Sequence, residues 1–209
     1  MNMIELYILD TSDLDYASDQ VLSLLSEQRK ERIEKLIPVL SKRESCGIEL
    51  LLAYALRNKY RPPLNISRTE HGKPYIHGCD VHFSLSHTNG ICMCAVSHNE
   101  IGADAEKMRD VGLNMHKRIA SDRDDLPSPI HIWSAKEAFL KLTGDGFRKL
   151  GDMQDIYAED GHISNDYVSA YLYQTEYRDI VLSVCTFEYI GNVKKYEPSV
   201  CDILTTLLK

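Results

Sequence analysis

Two spacings of hydrophobic residues alternate along the chain. Between Ser18 and Tyr60, apolar residues recur at helical spacing among glutamate, lysine and arginine. Pro38 interrupts this pattern, because proline lacks the amide hydrogen that a helix interior needs and clashes with the preceding turn. The pattern therefore predicts two helices, over about 18–37 and about 41–58, the second beginning at a serine that can cap it.

Strand-like spacing follows in the middle of the chain. Two runs of apolar and small residues are separated by Asn89 and Gly90, a pair typical of tight hairpin turns. We expect strand segments over 81–87 and 91–97, joined at this turn. Polar residues that follow such a strand lie at a common position for binding groups.

The second half shows a similar order of elements. A short helical stretch is predicted over 116–120, a loop over 121–129 and a longer helix over 131–144 that ends at Gly144. The remaining residues alternate in the manner of antiparallel strands. The order of strand, helices and strands thus occurs twice, which indicates an α/β fold of two similar halves, although no sequence repeat is visible.

Composition restricts the class of protein. Of 209 residues, 44% are hydrophobic and 26% are charged, which is ordinary for a soluble folded protein. The formal net charge of -7 argues against broad nucleic-acid binding, so any phosphate site must be local. No signal peptide pattern and no run of about twenty apolar residues is present, so we expect a cytoplasmic protein without a membrane segment.

The cysteines do not indicate a zinc site. The six are scattered and form no paired CxxC knuckles. Cys92 and Cys94 are two apart in an apolar stretch, where they would share one face of a strand. Packing is the expected role of these thiols, because free cysteine is commonly buried.

The stretch Gly102–Glu106 contains the first candidate for metal chemistry. In a strand, Asp104 and Glu106 would lie on one face because side chains alternate with period two. Two converging carboxylates repel each other unless a proton, a basic group or a cation offsets their charge. Magnesium suits such oxygen ligands, but an Asp-x-Glu pair also occurs in solvated turns.

The helix around residues 133–141 adds a second signal. Trp133, Glu137 and Lys141 recur every four residues and share one stripe. The stripe can form a site, or it can hold an exposed Glu137–Lys141 ion pair with the tryptophan as a core anchor. Upstream, Lys73, Ser86 and His87 could contact a phosphate or a nucleotide, although a lone histidine is more often structural.

Four motifs occur in a recognisable order and at fitting separations. They are GKPYI (72–76), HFSLSHT (82–88), IGADAEK (101–107) and WSAKEAFLK (133–141). Together they resemble the Sfp-type 4'-phosphopantetheinyl transferase family, over about residues 28–155. Ala103 and Ala105 depart from the family pattern, since bulkier aliphatic residues are common there, but all the charged positions are intact.

This resemblance implies a fold and an activity. The fold would be an α/β (α+β) pseudo-twofold arrangement of two similar halves, 1–101 with the nucleotide contacts and 102–209 with the metal site and catalytic helix. Coenzyme A would bind in the cleft between them. The enzyme would be a monomer that transfers the 4'-phosphopantetheine of coenzyme A to a serine of an apo acyl or peptidyl carrier protein, and it would release adenosine 3',5'-bisphosphate.

The resemblance also implies roles for individual residues. Asp104, Glu106 and Glu137 would hold Mg²⁺ on the pyrophosphate, with Glu137 as the base and Asp104 mainly a ligand. His87 would contact the 3'-phosphate. The remaining implied contacts to coenzyme A are made by polar or basic side chains: Lys73, Ser86, Lys136, Lys141, Arg29, Arg32, Lys42 and Arg43.

The carrier protein would bind a separate basic segment, over 109–123. Apolar residues alternate there with arginine and lysine, in an otherwise acidic protein. Such a segment is also typical of an ordinary amphipathic helix. Two other function classes stay open from the residues alone: a magnesium-dependent phosphohydrolase, and a non-catalytic module that binds coenzyme A or another nucleotide.

Overall fold

The protein has a mixed α/β fold. A computed structural model describes residues 2–144 and 150–209. The helices and strands follow in chain order: β1 (Asn2–Asp10), α1 (Asp19–Ser23), α2 (Glu27–Lys35), α3 (Val39–Ala55), β2 (Ser67–Arg68), β3 (Pro74–Tyr75), β4 (His82–Thr88), β5 (Ile91–Ser97), β6 (Ile101–Lys107), α4 (Leu113–Ile119), α5 (Pro129–Thr143), β7 (Tyr157–Glu159), β8 (His162–Ser164), β9 (Ser169–Tyr177), β10 (Ile180–Thr186), β11 (Ile190–Tyr196) and α6 (Val200–Leu207).

The first predicted helix is wrong as a single element. It is divided into α1 and α2, and the break comes at Ser26. The Ser26 hydroxyl accepts a hydrogen bond from the Arg29 amide at 3.3 Å and so caps α2. The Ser26 amide donates to Glu49 of α3 at 2.7 Å. This tertiary contact, with burial of the adjacent Leu24 and Leu25, is what stops α1.

The hairpin prediction is confirmed. Strands β4 and β5 pair antiparallel, with His82 opposite Ser97 and Thr88 opposite Ile91. Both turn residues have positive φ, 48° at Asn89 and 83° at Gly90, as a two-residue turn between strands requires. The predicted helix end is confirmed as well, since Gly144 caps α5 in the left-handed conformation with φ 80°.

Two larger sheets form the framework. The first has strand order β11-β1-β5-β4 and the second has order β6-β10-β9-β8-β7. The chain returns to the first sheet at its end, because β11 pairs parallel with β1 and Ile203 of α6 packs in the core around α3. No helix in residues 2–144 and 150–209 is long and apolar enough to cross a membrane.

The two sheets meet where β4 approaches β6. The Ala103 amide of β6 donates to the buried Ser84 hydroxyl of β4 at 2.8 Å. Helix α5 lies directly on β6 at Gly102, where an added Cβ would come within 2.0 Å of the Ala138 carbonyl oxygen. A glycine at this position therefore sets the close approach that brings the side chains of α5 beside those of β6.

Candidate active site

Three elements bring polar side chains together at the β4–β6 junction. Lys141 Nζ of α5 lies 2.7 Å from Asp104 Oδ1 of β6, and the Ser86 hydroxyl of β4 donates to the same oxygen at 3.0 Å. Lys141 Nζ also donates to Ser86 Oγ at 3.1 Å. The side chain of Asp104 is buried. Ser86 and Lys141, two of the residues that the resemblance assigns to coenzyme A, thus both contact the Asp104 carboxylate.

Glu137 belongs to this cluster, and its surroundings favour the protonated carboxyl group when no metal is bound. Burial raises the pKa of Glu137 to about 8, with contributions from the charges of Asp104 and Glu106, while Lys141 acts in the opposite direction. Glu137 Oε1 and Asp104 Oδ2 are buried and have no hydrogen-bond partner among the described residues. Two buried carboxylate oxygens without partners are costly, and a cation between them would relieve that cost.

Both oxygens of the Glu106 carboxylate already accept hydrogen bonds. Trp133 Nε1 donates to its Oε1 at 3.1 Å, and Arg109 Nη1 donates to its Oε2 at 3.0 Å. Within residues 2–144 and 150–209, no group of three or more His, Cys, Asp or Glu side chains is arranged to hold a metal ion. The unpaired oxygens of Asp104 and Glu137 fit magnesium. The Glu106 oxygens already accept hydrogen bonds from Trp133 and Arg109, so either oxygen would bind the metal in addition to that donor or in place of it.

A basic cleft begins beside this cluster. Its volume is about 350 Å³, and it lies between α2, α3, the β2–β3 hairpin, β4 and α5. Phe83, Leu85 and Leu140 contribute apolar surface. The charged or titratable residues that line it are Arg29, Arg32, Arg68, His71, Lys73, His87, Glu137 and Lys141. The cleft therefore suits an elongated anion with an apolar portion, in a protein whose net charge is -7.

His87 is oriented by a residue that the sequence did not single out. Its Nδ1 lies 3.3 Å from Glu44 Oε2, and Glu44 Oε1 accepts from the Gly90 amide at 2.8 Å. Burial acts to raise the pKa of Glu44, but the hydrogen bonds from His87 and Gly90 outweigh it and lower the pKa. Glu44 thus ties His87, which lines the cleft, to the hairpin turn.

Arg68 is a second residue that the sequence analysis missed. It lines the cleft with Arg29 and Arg32. Partial desolvation and the charges of these two arginines lower the pKa of Arg68. Arg29 alone of the three has a close carboxylate in the described structure, Glu49 at 2.8 Å. Three arginines that line one cleft favour an anionic ligand.

Lys73 reaches the cleft from the other side. Its Nζ donates to the Leu142 carbonyl of α5 at 3.3 Å, so the β2–β3 hairpin is joined to the second half of the chain. Burial lowers the pKa of Lys73, while Glu100 acts to raise it. A partly desolvated ammonium is well suited to a charge-assisted hydrogen bond with phosphate.

Three of the sequence-predicted basic residues do not line the cleft. Lys136 is fully buried and forms an ion pair with Asp124 at 2.7 Å. Lys42 lies over the ring of Tyr16, with its Nζ 5.6 Å from the ring centroid. Arg43 is half-buried, and its Nε has no hydrogen-bond partner among the described residues.

The fold and the cleft define a mixed α/β protein that can hold a polyanion against buried carboxylates. The sequence model of the 4'-phosphopantetheinyl transferase superfamily matches residues 100–186. A 4'-phosphopantetheinyl transferase of Bacillus subtilis is 30% identical over 162 residues, which cover 70% of this chain and 72% of that protein. The protein belongs to the 4'-phosphopantetheinyl transferase superfamily.

Other curated relatives carry the same name. The 4'-phosphopantetheinyl transferase Sfp of Bacillus subtilis strain 168 is 26% identical over 163 residues, covering 70% of this chain and 73% of that protein. The 4'-phosphopantetheinyl transferase HetI of Nostoc sp. is 34% identical over 86 residues, covering 34% of this chain and 36% of its own. The resemblance that the motifs carried, and the enzyme class it implied, are confirmed.

Proposed function

We propose that this enzyme transfers the 4'-phosphopantetheine of coenzyme A to a serine hydroxyl of an apo carrier protein, with Mg²⁺ as its cofactor. The observation that carries this proposal is the basic cleft that ends at the Glu137–Asp104–Lys141 cluster. A cleft with phosphate-binding cations at one end and a protonatable carboxylate at the other matches a nucleotide substrate whose pyrophosphate reacts.

The nucleotide end would lie among Arg29, Arg32, Arg68, Lys73 and His87. These residues reach the cleft from α2, the β2–β3 hairpin and β4, so one ligand would contact all three elements. Arginine presents a planar fork that pairs with phosphate, while lysine and histidine act as single donors. We assign His87 to the 3'-phosphate, because Glu44 orients the imidazole ring and His87 lines the cleft.

The reacting end would lie at Glu137 and Lys141. The carrier serine oxygen attacks the β-phosphorus, the bond from that phosphorus to the bridging oxygen breaks, and adenosine 3',5'-bisphosphate leaves. Glu137 accepts the serine proton, directly or through a water molecule. Lys141 offsets charge on the pyrophosphate. Magnesium bound by Asp104, Glu106 and Glu137 would supply further positive charge and favour the ionised form of Glu137.

The two halves of the chain are proposed as pseudo-twofold copies, 1–101 and 102–209. The sequential pattern of β1, α3, β4 and β5 recurs as β6, α5, β9 and β10. In both sets the first strand pairs antiparallel with the last, and the last with the third. Because one chain supplies both sides of the cleft, we propose a monomer.

We also propose that the protein lies in a reducing compartment such as the cytoplasm, which its six free cysteines support.

Mass spectrometry of an apo carrier protein tests the proposal directly. Incubation with coenzyme A, magnesium and the enzyme should add one phosphopantetheine to the carrier and produce an equal amount of adenosine 3',5'-bisphosphate. Release of free phosphate without carrier modification would instead show a phosphohydrolase. Binding of coenzyme A without any turnover would show a non-catalytic module.

Replacement of His87 by alanine should raise the Michaelis constant for coenzyme A by about 10- to 100-fold, because a hydrogen bond to a charged group contributes about 1.5–3 kcal/mol. Dephospho-coenzyme A lacks the 3'-phosphate and should show almost no penalty from the same replacement. Steady-state kinetics with both substrates provide the check. Equal penalties for the two substrates would reject the assignment of His87 to the 3'-phosphate.

The carrier protein should dock on α4. In this helix Leu113 is 78% exposed, and Lys117 and Arg118 are exposed on the last turn. Glutamate at both basic positions should raise the Michaelis constant for the carrier about tenfold and weaken its salt dependence, because the recognised carrier surface is expected to be acidic. Coenzyme A affinity should not change. Carrier kinetics that are unaltered across a range of ionic strength would place the docking surface elsewhere.

A further inference from the structure

Lys136 has a buried environment that the proposed chemistry does not use. Its side chain is 0% exposed, and its ammonium makes three hydrogen bonds. Nζ donates to the Ile119 carbonyl at 2.7 Å, to Asp124 Oδ2 at 2.7 Å and to the Met153 carbonyl at 3.0 Å. A lysine ammonium has three N–H donors, so each one has a protein acceptor and none is available for a phosphate.

Asp124 extends this cluster to two more segments. Its side chain is 1% exposed. Asp124 Oδ2 accepts from the Ser121 amide at 2.7 Å, and Oδ1 accepts from the Ala158 amide at 2.9 Å. The Lys136–Asp124 pair therefore joins α5 to the end of α4, to the loop that follows it, to a short 3₁₀ helix at Leu150–Asp155 and to β7.

The contact with Ile119 has a direct physical consequence for α4. Ile119 is the last residue of that helix, so its carbonyl is one of the four that have no partner within the helix. A buried ammonium satisfies this carbonyl and interacts favourably with the negative end of the helix dipole. Helix α4 has only seven residues and cannot hold its position by its own hydrogen bonds.

Lys136 and Glu137 are neighbours on α5 with different surroundings. Successive side chains on a helix point about 100° apart. Glu137 can therefore lie beside the carboxylates of β6, while Lys136 lies against Ile119 and Asp124. Burial lowers the pKa of Lys136, and Asp124 opposes that effect, as expected for a charge kept inside the protein by its partner.

We propose that Lys136 is a positioning residue: with Asp124 it fixes α4 and the 120–128 loop against α5, so that a carrier docked on α4 presents its serine to Glu137. Lys136 makes no contact with coenzyme A. This inference rests on the proposed function for its kinetic consequence, while the placement of α4 by Lys136 can be measured in the absence of any substrate.

Lys136→Met is the principal test variant, because methionine is unbranched and nearly as long as lysine but has no charge and no hydrogen-bond donors. The Michaelis constant for the carrier should rise at least about tenfold, while that for coenzyme A stays within about threefold. Amide hydrogen exchange in 113–124 should accelerate by about tenfold or more, and exchange in β1 and β5 should not. Asp124→Asn should give a smaller effect of the same kind, and it provides a second route if the methionine variant does not fold.

Two controls separate positioning from loss of stability. Ile163→Ala removes a buried side chain from the core that α5 shares with β8, and it should lower stability without raising the carrier Michaelis constant selectively. The double variant Lys136→Met/Asp124→Leu replaces the buried pair with apolar groups, so it should recover the part of the stability that Lys136→Met loses by leaving the Asp124 carboxylate buried without a cation. It should not recover carrier binding, because Ile119, Ser121 and Ala158 still lack their partners.

The outcomes distinguish this inference from the proposed function. If α4 exchanges faster in the variants but the unmodified enzyme modifies no carrier, the placement of α4 stands and the proposed function fails. The positioning role is overturned if the unmodified enzyme is active and Lys136→Met raises chiefly the Michaelis constant for coenzyme A. It is also overturned if Lys136→Met leaves amide hydrogen exchange in α4 unchanged. An equal rise of the carrier constant in Ile163→Ala would also overturn it.

Discussion

Glu137→Gln is expected to lower kcat for carrier modification by about 10²- to 10⁴-fold, the usual contribution of a general base. Glutamine has nearly the same shape but cannot accept the serine proton, and it also removes one of the two unpaired buried carboxylate oxygens at the cluster. Coenzyme A affinity should stay within about tenfold, because the cations of the cleft are unchanged. Single-turnover kinetics and calorimetric binding of coenzyme A separate these two effects.

Glu159→Gln is a suitable control for this experiment. Glu159 is an exposed carboxylate that pairs with Arg123 at 2.7 Å, away from the basic cleft. Its replacement should leave kcat within about twofold, since exposed ion pairs contribute little. Turnover near the normal rate in Glu137→Gln would exclude Glu137 as the base.

Glu137→Gln should also change the pH dependence of stability in the metal-free protein. The pKa of Glu137 rises from an ordinary 4.5 to about 8 in the fold. The folded state therefore retains a proton that the unfolded state releases, and stability falls as pH increases from about 4.5 to about 8. Urea unfolding across this range should show a shallower fall for Glu137→Gln. Parallel curves for the two proteins would contradict the raised pKa.

Gly102→Ala should produce a large loss of stability. The added Cβ would lie 2.0 Å from the Ala138 carbonyl oxygen and 2.4 Å from the Leu142 amide nitrogen. Both are backbone atoms, so no rotamer change can relieve the overlap and α5 must move away from β6. We expect a destabilisation of about 3 kcal/mol, which for a chain of this size is a decrease in Tm of about 6–12 °C.

Displacement of α5 should also reduce activity, because Glu137 and Lys141 are carried on that helix. Gly112→Ala is the matched control. A Cβ at Gly112 would have no heavy atom of residues 2–144 and 150–209 within 4 Å, and the φ of -62° is accessible to alanine. Thermal unfolding should place this control within about 1 kcal/mol of the unmodified protein, the cost of alanine at the N-cap of α4. If Gly102→Ala unfolds at the same temperature as the control, the close packing of α5 on β6 is refuted.

The sequence by itself determined the features that depend on local chemistry. Asn89 and Gly90 predicted the hairpin because few residues adopt positive φ without strain, and Gly144 marked the end of α5 for the same reason. The period of two in β6 and of about four in α5 placed Asp104, Glu106 and Glu137 on faces that could meet. The four motifs also identified the superfamily.

Only the tertiary structure decided which of these residues share a site. The resemblance assigned both Lys136 and Lys141 to coenzyme A, and the sequence could not correct this, because the surroundings of each lysine depend on what packs against its face of the helix. Glu44 and Arg68 were missed since their partners lie 43 and 39 residues away, at His87 and Arg29. Local propensity carries no information about such contacts, which arise when separate elements pack together.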